Sequence, residues 1–263
     1  MTFWMLALWG TASVATLMLI LWAIHLYLKN AAIVDVGWAI GTGGLGVFYA
    51  ILIPGDLHRR LLVGAMTGIW GLRLGLYLLF TRIIGHEEEG RYRALRREWK
   101  DNLPLKFLIF FEFQAVLCTV LSFPFLLSIL NPAPRIGWLE WLGAGIWLAG
   151  MTGEAIADAQ LAAFKRKKAS RGHTCQAGLW HYSRHPNYFF EWLIWVGFGL
   201  LALAAPHGYL GLVSPALILL FLLRVTGIPA TEAQALRTRG EEYRRYQQTT
   251  SPFIPWFPKS RPS

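Results

Sequence analysis

Apolar runs separated by short polar connections set the rhythm of this chain. Seven are long enough to be read as helices crossing a bilayer: 3–28, 33–53, 61–81, 107–130, 138–163, 189–205 and 208–226. A hydrocarbon core of ~30 Å takes about 20 mostly apolar residues per helix. The pattern therefore predicts an all-α, polytopic membrane helical bundle of about seven transmembrane helices. It forms a single integral membrane domain over 1–263, with the motif-bearing C-terminal half at about 138–263. The run 189–205 is short, and only "APHGY" separates it from the next. The pair is predicted either as a helical hairpin or with its first member partly re-entrant. The first run lacks a basic start and a short apolar centre, so it reads as a span rather than a cleaved signal peptide.

Composition supports the membrane reading. Hydrophobic residues make up 55% of the chain and charged residues only 15%, against the ~25% charged of soluble domains. A net charge of +10 could suggest nucleic acid, but its placement argues otherwise. Of 25 Lys and Arg, 21 fall in 82–106, 165–184, 224–263 and at Lys29. Seven spans put these regions on one side, which the positive-inside rule makes cytoplasmic. The N-terminus then faces outward and the C-terminus is cytoplasmic. Arg59 and Arg60 fall on the wrong side of this scheme. Cys118 and Cys175 have no evident partner, and "HTC" alone is too little for zinc, which wants about four convergent ligands. Neither a disulfide nor a metal is predicted.

Ionisable residues inside spans are costly and mark protein-lined cavities by default. Here they are His25, Asp35, Arg73, Glu112, Glu140, Glu154, Asp158, Glu191 and Arg224. His25, Glu140 and Arg224 lie near span ends, where snorkelling to the interface is the simpler account. Glu154 and Asp158 are four apart, hence on one helix face, and "KRKK" follows them. "GLWHYSRHPNYFFEWLIWVGFGL" places a polar cluster at the start of an apolar helix. Pro186 suits the first helical position, which makes His185 the cap and puts free N–H groups beside Arg184, a setting that favours phosphate. Asn187 and Glu191 then share a face, with Tyr188 and Trp195 on an adjacent one. "GTGGLG" (41–46) matches a dinucleotide fingerprint only on paper, because that motif needs a preceding strand and a soluble βαβ unit. Inside a span it predicts close helix packing through small residues.

"GLWHYSRHPNYFFEW" closely resembles the signature of the steroid 5α-reductase C-terminal superfamily, and in particular a bacterial branch of it. The likeness extends to "WGLRL" at 70–74, "EEEGRYRALRREW", "FFEFQA" and "EEYRRY". Related motifs occur in sterol reductases and in isoprenylcysteine carboxyl methyltransferases. The resemblance implies a multi-span membrane enzyme that binds NADPH without a Rossmann fold, its cofactor site facing the cytoplasm from a bacterial inner membrane. It implies cofactor contacts at Asp158, Lys165, Arg171, Arg184, His185, Asn187, Tyr188, Glu191 and Tyr243. It also implies an active site around Asp35. Trp70 stands where the family has a tyrosine, and an indole N–H cannot serve as a phenol does. Either Tyr77 or Tyr92 then supplies the acid, or the substrate is not a classical steroid enone.

The expected activity is NADPH-dependent reduction of an activated C=C bond in a lipophilic, steroid-like or isoprenoid substrate entering from the bilayer. Protonated, Asp35 would donate to the substrate carbonyl. The alternative is an S-adenosylmethionine-dependent methyltransferase acting on a membrane-embedded substrate. A non-enzymatic transporter or scaffold ranks third, because transporters break helices near the midplane whereas the polar residues here gather at helix ends. Membrane lipids are expected partners and nucleic acid is not. Oligomeric state is left open by the sequence.

Overall fold

A computed structural model describes residues 3–167 and 172–259. The described residues are helical, with one isolated bridge between Ser183 and Ser251. Six helical stretches are long and apolar enough to cross a membrane: Phe3–Leu28, Ile33–Leu52, Leu57–Ile83, Leu103–Ile129, Pro186–Leu203 and Gly208–Thr249. The protein is thus of the polytopic all-α helical-bundle class. The helix expected as a further span is Trp138–Arg166, 29 residues long. At 1.5 Å per residue it runs about 43 Å, but Glu140, Glu154, Asp158, Lys165 and Arg166 keep it out of the apolar set.

The chain divides into two compact units, Met1–Gly137 with Ala202–Gly211, and Trp138–Leu201 with Leu212–Ser263. Unit 1 contains α1 (Phe3–Leu28), α2 (Ile33–Leu52), α3 (Leu57–Leu78, continued by a π-turn to Ile83), α4 (Gly90–Trp99), α5 (Leu103–Leu121) and α6 (Phe123–Ile129). Pro124 at the start of α6 interrupts the fourth span beside Ser122.

Glycine brings α2 and α3 together. A Cβ at Gly43 would lie 2.7 Å from the Thr67 carbonyl oxygen and 2.8 Å from the Gly71 Cα. One at Gly71 would lie 2.8 Å from the Ala39 carbonyl oxygen. The "GTGGLG" stretch is mid-helix and works as a backbone contact surface, as small residues do between membrane helices.

The two arginines that conflict with the charge scheme have structural work. Arg59 is 1% exposed and donates to the carbonyl oxygens of Asn131 (3.3 Å), Ala133 (2.8 Å) and Arg135 (2.8 Å). Arg60 donates to Ala50 (2.7 Å) and Ile51 (3.1 Å), among the last carbonyls of α2, which have no partner within the helix. Two of the three residues expected to snorkel do not. His25 is buried between the rings of Phe107 and Phe111, each 5.1 Å away, and Glu140 is 1% exposed. Their sequence position near a helix end says nothing of what packs over it. Arg224, by contrast, is exposed.

Unit 2 contains α7 (Trp138–Arg166), a single turn α8 (Leu179–Tyr182), α9 (Pro186–Leu203), α10 (Val213–Leu220, continued by a π-turn to Val225) and α11 (Ile228–Thr249). α7 and α9 pack backbone to backbone, since a Cβ at Gly197 would meet the Gly143 carbonyl oxygen at 2.7 Å. The expected hairpin after α9 is present as α9 and α10, with Trp192 Nε1 donating to the Pro215 carbonyl across it at 3.2 Å. The apolar part of Gly208–Thr249 ends near Val225. α11 carries seven charged side chains (Glu232 to Arg245) and lies beyond the apolar span. It breaks at Gly240, whose φ of 51° lies in the left-handed region that glycine tolerates best.

Candidate functional site

The cap predicted before α9 forms as expected. The His185 carbonyl accepts the Phe189 N–H at 3.2 Å, and the Ser183 hydroxyl accepts the His185 N–H at 3.1 Å while donating to the Phe253 carbonyl at 2.8 Å. The tail is laced to this turn. Arg184 N–H reaches the Ser251 carbonyl at 2.8 Å, and Trp256 N–H the Tyr182 carbonyl at 2.9 Å. The Tyr246 hydroxyl donates to the Trp180 carbonyl.

Glu232, in the first turns of α11, is the hub of the cluster. Its Oε1 accepts from Arg184 Nε at 2.7 Å, lies 3.2 Å from His185 Nε2 and accepts from the Tyr243 hydroxyl at 3.4 Å. Its Oε2 accepts from Gln247 Nε2 at 2.7 Å. Burial alone would push this carboxyl up. Hydrogen bonds from His185 and Arg184, the Arg184 charge and the Gln247 amide overcome that and hold it at about 2. Burial, reinforced by the Glu232 charge, pushes the Tyr243 hydroxyl above the ordinary tyrosine value.

Arg184 departs from the expectation of a phosphate-ready cation at the helix start. It is 9% exposed, its Nε is paired with Glu232, and its Nη1 donates to the carbonyls of Gln247 (2.9 Å) and Thr250 (2.6 Å). A buried guanidinium must be matched by partners, and the tail supplies them. Arg184 therefore ties the motif turn to the tail.

The remaining motif residues spread along α9. The His185 and Tyr188 rings stack, 5.3 Å apart and 8° from parallel, and the Tyr188 hydroxyl lies 3.1 Å from Thr231 Oγ1. Asn187 donates to Asp158 Oδ1 at 3.3 Å, joining α9 to α7. One turn on, Glu191 accepts from Trp195 Nε1 at 2.9 Å. Lys165 stands in the last turn of α7. Its charge acts on Cys175, whose thiol burial pushes up and Lys165 partly draws back. Arg171 lies outside the described residues. The structure thus gathers Arg184, His185 and Tyr243 around one carboxylate, and pairs Asp158 with Asn187. Sequence reasoning missed Glu232 and Gln247. The available signal was a lone acid opening a basic amphipathic helix, with a buried Arg–His pair in need of a counter-charge.

Unit 1 holds a second polar cluster, at the start of α2. The Tyr92 hydroxyl donates to Asp35 Oδ1 at 2.8 Å, Arg91 donates to Oδ2, and Arg82 stands 3.5 Å from Oδ2. Glu89 bridges the two arginines, 2.9 Å from Arg82 and 3.1 Å from Arg91. Tyr92 is 2% exposed, and burial, with Asp35 beside it, raises its hydroxyl well above the ordinary value. Asp35 was expected to donate. In this arrangement it accepts from the Tyr92 hydroxyl. Tyr77 is half-buried and packs against the cluster formed by Val36, Ala39 and Leu78. Trp70 is fully buried, edge-on to Trp38 at 5.7 Å.

No curated protein and no solved structure matches the chain. A family model described as "Protein of unknown function (DUF1295)" matches residues 21–250. The chain belongs to that family, a member of the steroid 5α-reductase-like superfamily.

Proposed function

We propose that the protein is an NADPH-dependent membrane reductase of an activated C=C bond in a lipophilic, steroid-like or isoprenoid substrate. The observation that carries this reading is the buried Tyr92–Asp35 pair. Reducing an enone builds negative charge on the carbonyl oxygen, which calls for a placed donor. Methyl transfer to a carboxylate calls for none.

The cofactor is assigned to unit 2, by resemblance and by the fit of its side chains. Asn187 and Asp158 offer a carboxamide donor and a carboxylate acceptor, suited to an amide and to ribose hydroxyls. Tyr188, half-buried and backed by the stacked His185 ring, offers a flat surface. Lys165 is the basic contact the resemblance assigns; Arg184 is excluded from that duty by its own partners. When bound, NADPH supplies a hydride. The chain's part is to orient and polarise. Asp35 and Arg91 fix the phenol, and a substrate carbonyl competes with Asp35 for the Tyr92 O–H. Across the whole reaction the double bond gains a hydride at its β-carbon and a proton, drawn from water, at its α-carbon. The basic loops support a cofactor face on the cytoplasmic side of a bacterial inner membrane.

The test is a thermal shift of detergent-purified protein with NADPH, NADH, S-adenosylmethionine or no ligand, since a ligand that binds only the folded state raises the midpoint by mass action. Stabilisation by NADPH is expected. Stabilisation by S-adenosylmethionine instead would move the chain to the methyltransferases and remove the role given to Tyr92.

A further inference from the structure

A cavity of about 270 Å³ opens within unit 1, where the α1–α2 turn meets the loop after α3. Its position is set by two apolar spans, because Leu28 ends Phe3–Leu28 and Ile83 ends Leu57–Ile83, and both residues line it. The cavity therefore sits at the level where hydrocarbon gives way to headgroups.

Its polar lining is of two kinds. Lys29, Asn30 and His86 bring nitrogen donors. Lys29 closes α1 in the left-handed region, φ 53°, and its ammonium has no partner among the described residues. Asn30 is buried and spends its Oδ1 on the Ala32 N–H at 3.0 Å, which leaves its amide N–H₂ without a partner among the described residues. His86 is exposed. Glu87 and Glu88 bring carboxylates. Glu88 forms the wall: it accepts from the Ala31 N–H at 2.8 Å and from Arg96 Nε at 2.8 Å. Glu87 has only a surface pair with Arg93 at 3.2 Å, with side-chain exposures of 89% and 55%. A pair that exposed contributes little, so Glu87 is available to a ligand.

We propose that this cavity binds the headgroup of phosphatidylethanolamine. Lys29, with the Asn30 amide and His86, takes the phosphodiester; Glu87 takes the primary ammonium; Leu28 and Ile83 meet the glycerol and the first methylenes. The donors and the carboxylate together match a zwitterion, whereas a purely anionic headgroup would leave Glu87 facing negative charge. Phosphate and ammonium also occur together in soluble phosphoesters. The two spans ending at the cavity favour the lipid.

Delipidated protein in detergent is titrated with phosphatidylethanolamine, phosphatidylglycerol, phosphatidylcholine and soluble glycerophosphoethanolamine, with binding read by native mass spectrometry. Phosphatidylethanolamine is expected to bind most tightly, ahead of phosphatidylglycerol, which lacks the ammonium, and phosphatidylcholine, whose quaternary ammonium cannot donate to Glu87. Losing one charge-assisted hydrogen bond to a ligand typically costs about tenfold or more in affinity. Lys29→Ala and Glu87→Gln are therefore each expected to weaken phosphatidylethanolamine by at least about tenfold. Both side chains are exposed, so the lipid-free melting midpoints should match the parent's and exclude misfolding. Equal binding of the three lipids, unchanged affinity in both variants, or glycerophosphoethanolamine binding as tightly as the lipid would each overturn the assignment. None of these outcomes depends on the reductase reading, because no turnover is measured.

Discussion

Tyr92 donates its phenol hydrogen to Asp35 at 2.8 Å, from a helix outside the apolar spans to the first turn of α2. On the proposed chemistry this bond holds the acid that polarises the substrate. Tyr92→Phe keeps the ring and removes only the O–H. Placed proton donors contribute typically ~10²–10⁴-fold, so NADPH oxidation with an accepted enone is expected to fall by about that factor, while the NADPH-induced thermal shift stays at the parent value. Asp35→Asn should lower turnover by less, because the phenol remains and only its fixing is lost. Full turnover in Tyr92→Phe would remove this residue from the chemistry.

Glu232 gives unit 2 a pH signature. Its folded value is depressed from 4.5 to about 2, so the stability it contributes is fully present above about 4.5 and is lost as pH falls through about 2. A displacement of that size corresponds to ~3 kcal/mol at 1.36 kcal/mol per unit. Glu232→Gln is expected to cost stability on that order at neutral pH, where Arg184 is left buried without its counter-charge. The gap to the parent should close between about pH 4.5 and 2. Thermal midpoints of the two proteins across pH 2–7 read this directly; parallel curves would show that Glu232 is not the group responsible.

The glycines of "GTGGLG" separate two readings of one motif. Gly43→Ala forces a methyl to 2.7 Å from the Thr67 carbonyl oxygen, whereas at Gly44 nothing lies within 4 Å. Overpacking typically costs ~1–3 kcal/mol. Gly43→Ala is expected to lower the thermal midpoint, and Gly44→Ala to leave it unchanged or raise it by helix propensity. NADPH affinity should be unaffected in Gly44→Ala. A nucleotide loop at 41–46 would instead make both substitutions weaken the cofactor.

Much of the fold was legible because a bilayer imposes one period and one length on the chain. Pro186 likewise marked the start of α9 through chemistry local to the peptide bond. What escaped reading was long-range pairing. Glu232 meets Arg184 across 48 residues of sequence, and no spacing rule connects a motif turn to a carboxylate that far downstream. The same limit hid the burial of His25 and Glu140, which depends on what packs over them. It also hid the carbonyl partners of Arg59, which make that arginine a clasp for the loop before α7 rather than a topology signal. Glu140, Glu154 and Asp158, with Lys165 and Arg166, set α7 apart from the more apolar helices, and each of them is visible in the sequence.

The cofactor assignment rests on one face of α9. Asn187 donates to Asp158 across a long 3.3 Å bond, worth little to stability, so Asn187→Ala should leave the cofactor-free midpoint within about 1 kcal/mol of the parent. If the carboxamide instead serves a bound nucleotide, its loss removes at least one ligand hydrogen bond and leaves Asp158 facing the ligand alone. NADPH affinity, measured by titration of intrinsic fluorescence, is then expected to drop about tenfold, since 1.4 kcal/mol is a factor of ten. Glu191→Ala tests the same face one turn deeper, where the carboxylate accepts from Trp195 Nε1 at 2.9 Å. Because that indole is fully buried, Glu191→Ala should both lower the midpoint and weaken NADPH. A pair of variants that melt differently but bind NADPH as the parent does would separate the structural work of this face from any cofactor role, and would move the nucleotide elsewhere.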